Sequence, residues 1–426
     1  MMCASSAWAQ SLNDELKDLV QTHPQIQAKQ QSAAAAKEGV GVARAGYLPT
    51  IKITGDGGPE WVDSADRRES QGNAFFRGRD TLGVVITQRI FDGMATDAAV
   101  ESAKANRRIS DADLRSARQA ALLEGATAYL QVLRSLRLID FASDSEHKVR
   151  EQLNLEDERV EKGGGIASDV LSAKQRLQTA KEARVRYQGE LQAATAKYVQ
   201  VFGHAPDTAR MNEPPVPGAM VPNSVEAAVK TAEDENPLVE TANHAIDLAK
   251  EKRNTAEAGY YPNLDLVSRW DYEDGKAGSN GMRRDWSVLL TASWEVFSGF
   301  KTNRMVAQAA YEHGASKDSL LYAMRKTDEQ VRTSWYKMLN ARERVDLLDN
   351  AASLAEEVWR AAGKRREAGK ATVREVLDEE TRINDARIGY TAAYFDWVTA
   401  TYELLAAMGR LEVENLVGSS PVAYRR

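Results

Sequence analysis

Cysteine is nearly absent from this 426-residue chain: Cys3 is its single example, so neither a disulfide framework nor a thiolate metal site is available. Histidine is scarce as well. His23, His147, His204, His244 and His313 are scattered, and none forms a pair at metal-binding spacing such as HExxH. A GxxxxGK[ST] phosphate loop and a GxSxG nucleophile elbow are both missing. The glycines of "GVGVARAG" sit in a helical stretch with no strand before them, so they read as small residues that let helices pack closely. These absences leave no catalytic site, no metal and no cofactor to expect. No run of 18 apolar residues occurs, which excludes a transmembrane helix but not a β-barrel, whose strands carry a weaker signal. A net charge of −6 offers no basic footprint for nucleic acid.

What the chain has is alanine and charge. Charged residues make up 28% and aromatic residues 7%, a balance suited to long, surface-rich helices. It also says the same thing twice. "HPQIQAKQQSAAAAKEGVGVARAGYLP" from His23 to Pro49 returns as "NPLVETANHAIDLAKEKRNTAEAGYYP" from Asn236 to Pro262. "RIFDG" ending at Gly93 returns as "EVFSG" ending at Gly299, and "RVEKGGGIASDVL" ending at Leu171 returns as "RREAGKATVREVL" ending at Leu377. "VFG" at Gly203 pairs with "AMG" at Gly409. Four landmarks in order mark an internal duplication. The offset is about 213 residues at the first landmark and about 206 at the others, so the extra length in the first copy belongs to a loop between Pro49 and Gly93.

The chain divides accordingly. Residues 1–9, ending in the A-x-A pattern Ala7-Trp8-Ala9, read as the remnant of a secretory signal, with the mature chain expected from near Gln10. Residues 10–205 form the first repeat: a helix at about Pro24 to Ala45, a β-hairpin over 48–92 and a long helical hairpin over 95–202. A connector with four closely spaced prolines spans 206–223. The second repeat, 224–411, has its helix at about Pro237 to Ala258, its β-hairpin over 262–297 and its helical hairpin over 300–409, before a tail at 412–426. The proline-free runs Thr96 to Glu161 and Thr302 to Ala368 would each reach roughly 100 Å as helix.

In the hairpins, Leu82, Val84 and Ile86 alternate with small or polar residues, as do Trp286, Val288, Leu290, Ala292, Trp294 and Val296. The turns are placed at Asp56 to Asp80 and Glu273 to Arg284. Four strands are too few to close a barrel, so they either lie against helices or pool with strands of other chains. At the far ends of the helical hairpins, Ser168 and Thr372 are expected N-caps, with Asp169 and Glu375 favoured by the helix dipole. Asp378 shares a face with Glu375, and two such carboxylates repeated around a channel would attract cations.

Together the duplication, the "ARAGYLP" and "AEAGYYP" passages, the "FDG" and "FSG" strand exits and the "SDVL" and "REVLD" tips resemble the TolC family of outer-membrane channel proteins. The resemblance runs from about Leu12 to Leu411. It implies a mainly α fold with a small β part. Three subunits would give four strands each to a twelve-stranded outer-membrane β-barrel, and their long helical hairpins to a periplasmic α-barrel. The lipid-facing residues would be Leu82, Val84, Ile86, Trp286, Val288, Leu290 and Trp294. Glu375, Asp378 and Asp169 would line the periplasmic aperture. Arg366 stands where the family has a tyrosine and Ala371, beside Lys370, where it has an arginine, so Arg366 is expected to pair with Asp169 as a latch. Gly163, Gly164, Gly165, Ile166, Gly369, Lys370 and Val373 would meet a periplasmic membrane-fusion adaptor. The resemblance is nearest to the type I secretion and adhesin-export subgroup, which works through that adaptor with an inner-membrane ABC transporter to pass an exported protein. A multidrug efflux channel and a pore-less coiled-coil scaffold are the alternatives.

Overall fold

The protein is described by a computed structural model covering residues 11–65, 68–69, 74–164, 166–278 and 281–413. The expected signal remnant at 1–9, Gly165 and the tail from 414 onward lie outside the described residues. In chain order the elements are α1 (Leu12–Thr22), α2 (Pro24–Arg44), β1 (Thr50–Val62), β2 (Phe75–Phe91), α3 (Ala95–Glu161), α4 (Ala167–Phe202), α5 (Val225–Glu235), α6 (Pro237–Ala258), β3 (Asn263–Asp274), β4 (Met282–Ser293), α7 (Lys301–Glu367) and α8 (Val373–Ala407). They fall into two compact units. One comprises Met1–Gln30, Ala112–Glu240 and Tyr322–Arg426, the other Gln31–Asp111 and Thr241–Leu321.

The first unit is helical. Leu12, Leu16 and Leu19 of α1 recur at helical spacing and are buried with Leu122, Tyr129 and Leu130 of α3, Tyr198 of α4, Tyr402 and Leu405 of α8, and Met408 at its C-cap. The expected first helix of each copy starts at Pro24 or Pro237, and a short helix that the pattern does not announce precedes each. Ser11 and Ser224 are their N-caps, accepting from the Asp14 and Ala227 amides at 3.2 Å. Each short helix then ends two residues before the proline, which disfavours helical backbone in the intervening His23 or Asn236.

A glycine closes α8 against this core. Gly409 has φ +81, and a Cβ there would stand 2.6 Å from the Glu235 carbonyl oxygen. Its own carbonyl accepts from Gln119 Nε2 at 2.5 Å, while Asn236 Nδ2 reaches the Ala407 carbonyl at 2.8 Å. The counterpart Gly203 has φ +80 with open space around it.

The second unit holds one antiparallel sheet in the order β1-β2-β3-β4. Its register places Ile53 opposite Val84, Val84 opposite Trp270, and Trp270 opposite Trp286. Ile51, Ile86, Ser268 and Val288 form the next row. Residues directly opposite share a face, so Leu82, Val84, Ile86, Trp286, Val288 and Leu290 all lie on one side of the sheet. Most of that face is open: Ile51, Ile53, Leu82, Ile86, Trp286, Val288 and Leu290 are exposed. Val84 is half-buried. Trp294 departs from the expectation. β4 ends at Ser293, and the Trp294 indole instead donates to the Tyr260 carbonyl at 3.1 Å.

The strands are also longer than their turn residues suggested. The expected turn begins at Asp56, yet β1 continues through "DGGPE" to Val62, with Pro59 paired opposite Gly78. The reason is position: β1 is an edge strand, where a missing N–H is tolerated. Beyond the sheet the chain enters each long helix through two residues of positive φ, Gly93-Met94 and Gly299-Phe300. Asp92 caps α3, its Oδ2 accepting from the Thr96 amide at 2.9 Å, and Ser298 does the same for α7 through Thr302 at 3.4 Å.

Gly203→Ala is expected to cost about 1 kcal/mol, the strain of a left-handed backbone alone. Gly409→Ala adds a collision with the backbone that joins α5 to α6 and is expected to cost clearly more. Thermal unfolding of the two purified variants, compared side by side, measures the difference.

Candidate functional site

The ends of the two helical hairpins turn by the same means. At the first tip Gly163 has φ +77, its amide donates to the Val160 carbonyl at 3.0 Å, and the Gly164 amide donates to Arg159 at 3.0 Å. At the second, Gly369 has φ +71, with amide bonds from Gly369 to Arg366 at 2.9 Å and from Lys370 to Arg365 at 2.8 Å.

The returning helices start differently. Thr372 takes the N-cap of α8 as its sequence position predicts, with Oγ1 accepting from the Glu375 amide at 3.2 Å. Ser168 does not cap α4. The N-cap is Ile166, which has no side-chain oxygen to offer, and Asp169 sits at the third position of the helix. Ile166 is exposed, and Val373 opens α8 through its backbone.

Of the aperture candidates, Glu375 and Asp378 share the start of α8 whereas Asp169 opens α4, and the three are differently engaged. Glu375 is exposed, with the Arg365 guanidinium 3.8 Å away. Asp378 is ion-paired with Arg176 of α4. The same guanidinium donates to the Leu377 carbonyl at 2.8 Å and to Thr381 Oγ1 at 3.0 Å, so it fastens the two returning helices together. Asp169 stays half-buried at the start of α4.

Arg366 does not pair with Asp169. Its guanidinium is 15% exposed and joins Glu156 of α3, a carboxylate only 4% exposed. Glu156 also accepts from Gln152 at 2.7 Å and Arg159 at 3.2 Å, so its burial is matched by three donors. The physical reason for the different partner is reach. Glu156 lies more than a helical turn back from the tip, beside the last turn of α7 that carries Arg366, whereas Asp169 lies in the first turn of α4.

Further from the tips, more carboxylates clamp the helices. Glu146 of α3 accepts from Arg184 of α4 at 2.6 Å, and this hydrogen bond holds its carboxyl below the ordinary range. Glu356 of α7 is likewise lowered, first by Arg360 and then by Arg387 of α8. Between the arms of the first hairpin lies a small apolar cluster of Val149, Leu153, Val170, Ala173 and Leu177. None of the partners Glu156, Arg176, Glu146 or Arg184 was singled out in the sequence, because each is an ordinary helix-surface residue type.

The profile of the outer membrane efflux protein family matches residues 16–204 and again residues 228–410. The chain belongs to that family. Among its relatives are the alkaline protease secretion protein AprF of Pseudomonas aeruginosa and the outer membrane protein TolC of Escherichia coli. AprF is 25% identical over 98% of this chain and 88% of its own. TolC is 24% identical over 97% of this chain and 85% of its own. The solved structure of CusC, described for its transmembrane channel formation, superposes with a TM-score of 0.82 over 95% of both chains at 13% identity, which speaks for the fold. An outer membrane efflux protein of the TolC type is an outer-membrane channel rather than an enzyme, and that is the activity of this chain.

A double-mutant cycle on Arg366→Ala and Glu156→Gln is expected to show a coupling of about 1–3 kcal/mol, since either change alone strands a buried group. Chemical unfolding of the four proteins measures it. Additive effects would mean that the two residues do not depend on each other.

Proposed function

We propose that this channel is the exit duct of a type I secretion system, passing a protein such as a large adhesin from an inner-membrane ABC transporter through a periplasmic adaptor. The observation that carries the channel part is the sheet. Four strands with an open apolar face and two unpaired edges call for lipid on one side and for strands of other copies at the edges. A trimer pooling its strands satisfies both needs. Leu82, Val84, Ile86, Trp286, Val288 and Leu290 then face lipid, with Trp294 at the rim, where an indole suits the interface.

The export part is supported by relatives whose names speak of secretion, AprF and the protease secretion protein PrtF of Dickeya chrysanthemi. The alternative is a duct for drug efflux, favoured by the family's description and by the relative BepC of Brucella suis, named an outer membrane efflux protein. Both readings share the same helical tips. Glu375 and Asp378 serve as the acidic aperture, with Asp169 beside it, and Arg366 holds the tip closed through Glu156. The exposed turn residues Gly163, Gly164, Ile166, Gly369 and Lys370, with Gly165 and Val373, form the contact for the adaptor.

Cells lacking this chain are expected to lose the surface adhesin while keeping their drug susceptibility. Unchanged adhesin together with raised drug susceptibility would decide for efflux. In planar bilayers, Arg366→Ala is expected to raise single-channel conductance severalfold, and Glu375→Gln with Asp378→Asn to lower selectivity for cations. A conductance indistinguishable from that of the unaltered channel would remove Arg366 from the latch.

A further inference from the structure

Among the described residues, three carboxylates of the long helical hairpins are buried, Glu146, Glu156 and Glu380. The first two are met by arginines. Glu380 is not: its Oε1 has no hydrogen-bond partner. It lies on α8 at a cavity of about 20 Å³, room for a single water, lined also by Ser145 and Lys148 of α3, Trp359 of α7, and Ile383, Asn384 and Arg387 of its own helix. Glu380 therefore sits where α3 of the first hairpin meets both helices of the second.

The charges around Glu380 are occupied elsewhere. From α3, Lys148 donates to Asp144 at 2.5 Å and stands 5.8 Å from the centre of the Trp359 ring. From α4, Arg176 is bound to Asp378. On α8 itself, Arg387 reaches Glu356 of α7 at 3.5 Å. Glu380 is thus a buried acid without a dedicated counter-ion, in a site that accommodates its neutral form better than its anion.

We propose that Glu380 is a proton-operated release between the two helical hairpins: its neutral carboxyl lets α8 lie against α3, and its ionisation disfavours that contact. The proposal deepens the gate reading above and rests on it. Burial pushes the Glu380 carboxyl up to about 6, with Lys148 pulling it down, Asp144 pushing it up and Arg176 pulling it down. The packed arrangement accordingly holds the proton more tightly than a separated one. Packing is strongest below the ordinary carboxylate value of 4.5, weakens as pH rises through about 6, and changes little above that. The packed-to-separated ratio shifts on the order of tenfold across this window.

The test uses the full-length trimer in detergent, with Cys3→Ser and spin labels on cysteines replacing the exposed Glu151 of α3 and Arg382 of α8. The distance distribution is expected to broaden between pH 5 and pH 7.5 with a midpoint near 6, while Glu380→Gln keeps the narrow acid-form distribution throughout. Lys148→Gln, which removes a cation favouring the anion, is expected to move the midpoint to higher pH, and it serves as the test should Glu380→Gln not assemble. A distribution that ignores pH, or a Glu380→Gln trimer that responds like its parent, overturns the proposal. Conductance of the same proteins separates the two ideas. If distances follow Glu380 and conductance does not, the release stands and the gate reading fails.

Discussion

Every buried polar backbone group must find a partner, and the four-stranded sheet meets this demand only internally. β2 and β3 are paired on both sides, whereas β1 and β4 each present one open edge. The same sheet turns a row of isoleucine, valine, leucine and tryptophan outward. In water this surface would be a liability for aggregation. It becomes an asset where lipid meets the apolar face and further strands meet the edges. Two helices of 67 residues leave the sheet. Asp92 and Ser298 fix where those helices begin, immediately after the positive-φ pairs that redirect the chain.

At the other end of the hairpins, stability comes from a different source. The helices there are rich in charge, and the apolar cluster between α3 and α4 is small. Carboxylate–guanidinium pairs supply the specificity instead. Glu146 with Arg184 ties the arms of one hairpin, Glu356 with Arg387 those of the other, and Glu156 with Arg366 and Asp378 with Arg176 tie one hairpin to the other. Pairs of this kind cost much to break singly but contribute little net energy as intact units. They suit a contact that must be well defined when made and yet able to part. Glu380 is the exception in this set, since no guanidinium pairs with it.

Much of this architecture was legible in the sequence. Proline-free runs of alanine and charge marked α3 and α7, period-two alternation marked β2 and β4, and Thr372 before Glu375 marked the start of α8. The misses have physical reasons. Pro59 and the glycines around it looked like a turn because sequence does not reveal that β1 lies at an edge. α1 and α5 are only 11 residues each and stand directly before the stronger start signals Pro24 and Pro237, so their caps Ser11 and Ser224 are the sole local marks of them. The partner of Arg366 was out of reach altogether. Glu156 is 210 positions away, and no local pattern distinguishes it from the other glutamates of α3.

Pro59 has a consequence for assembly. A strand added at the open edge of β1 can exchange hydrogen bonds upward from Thr50, but proline offers no donor with which to continue past it. In the proposed trimer, the seam between two chains thus has a stop at Pro59. Copies that slide along each other lose their bonding at that stop, so one imino acid near the loop helps to set the height at which neighbouring staves are joined.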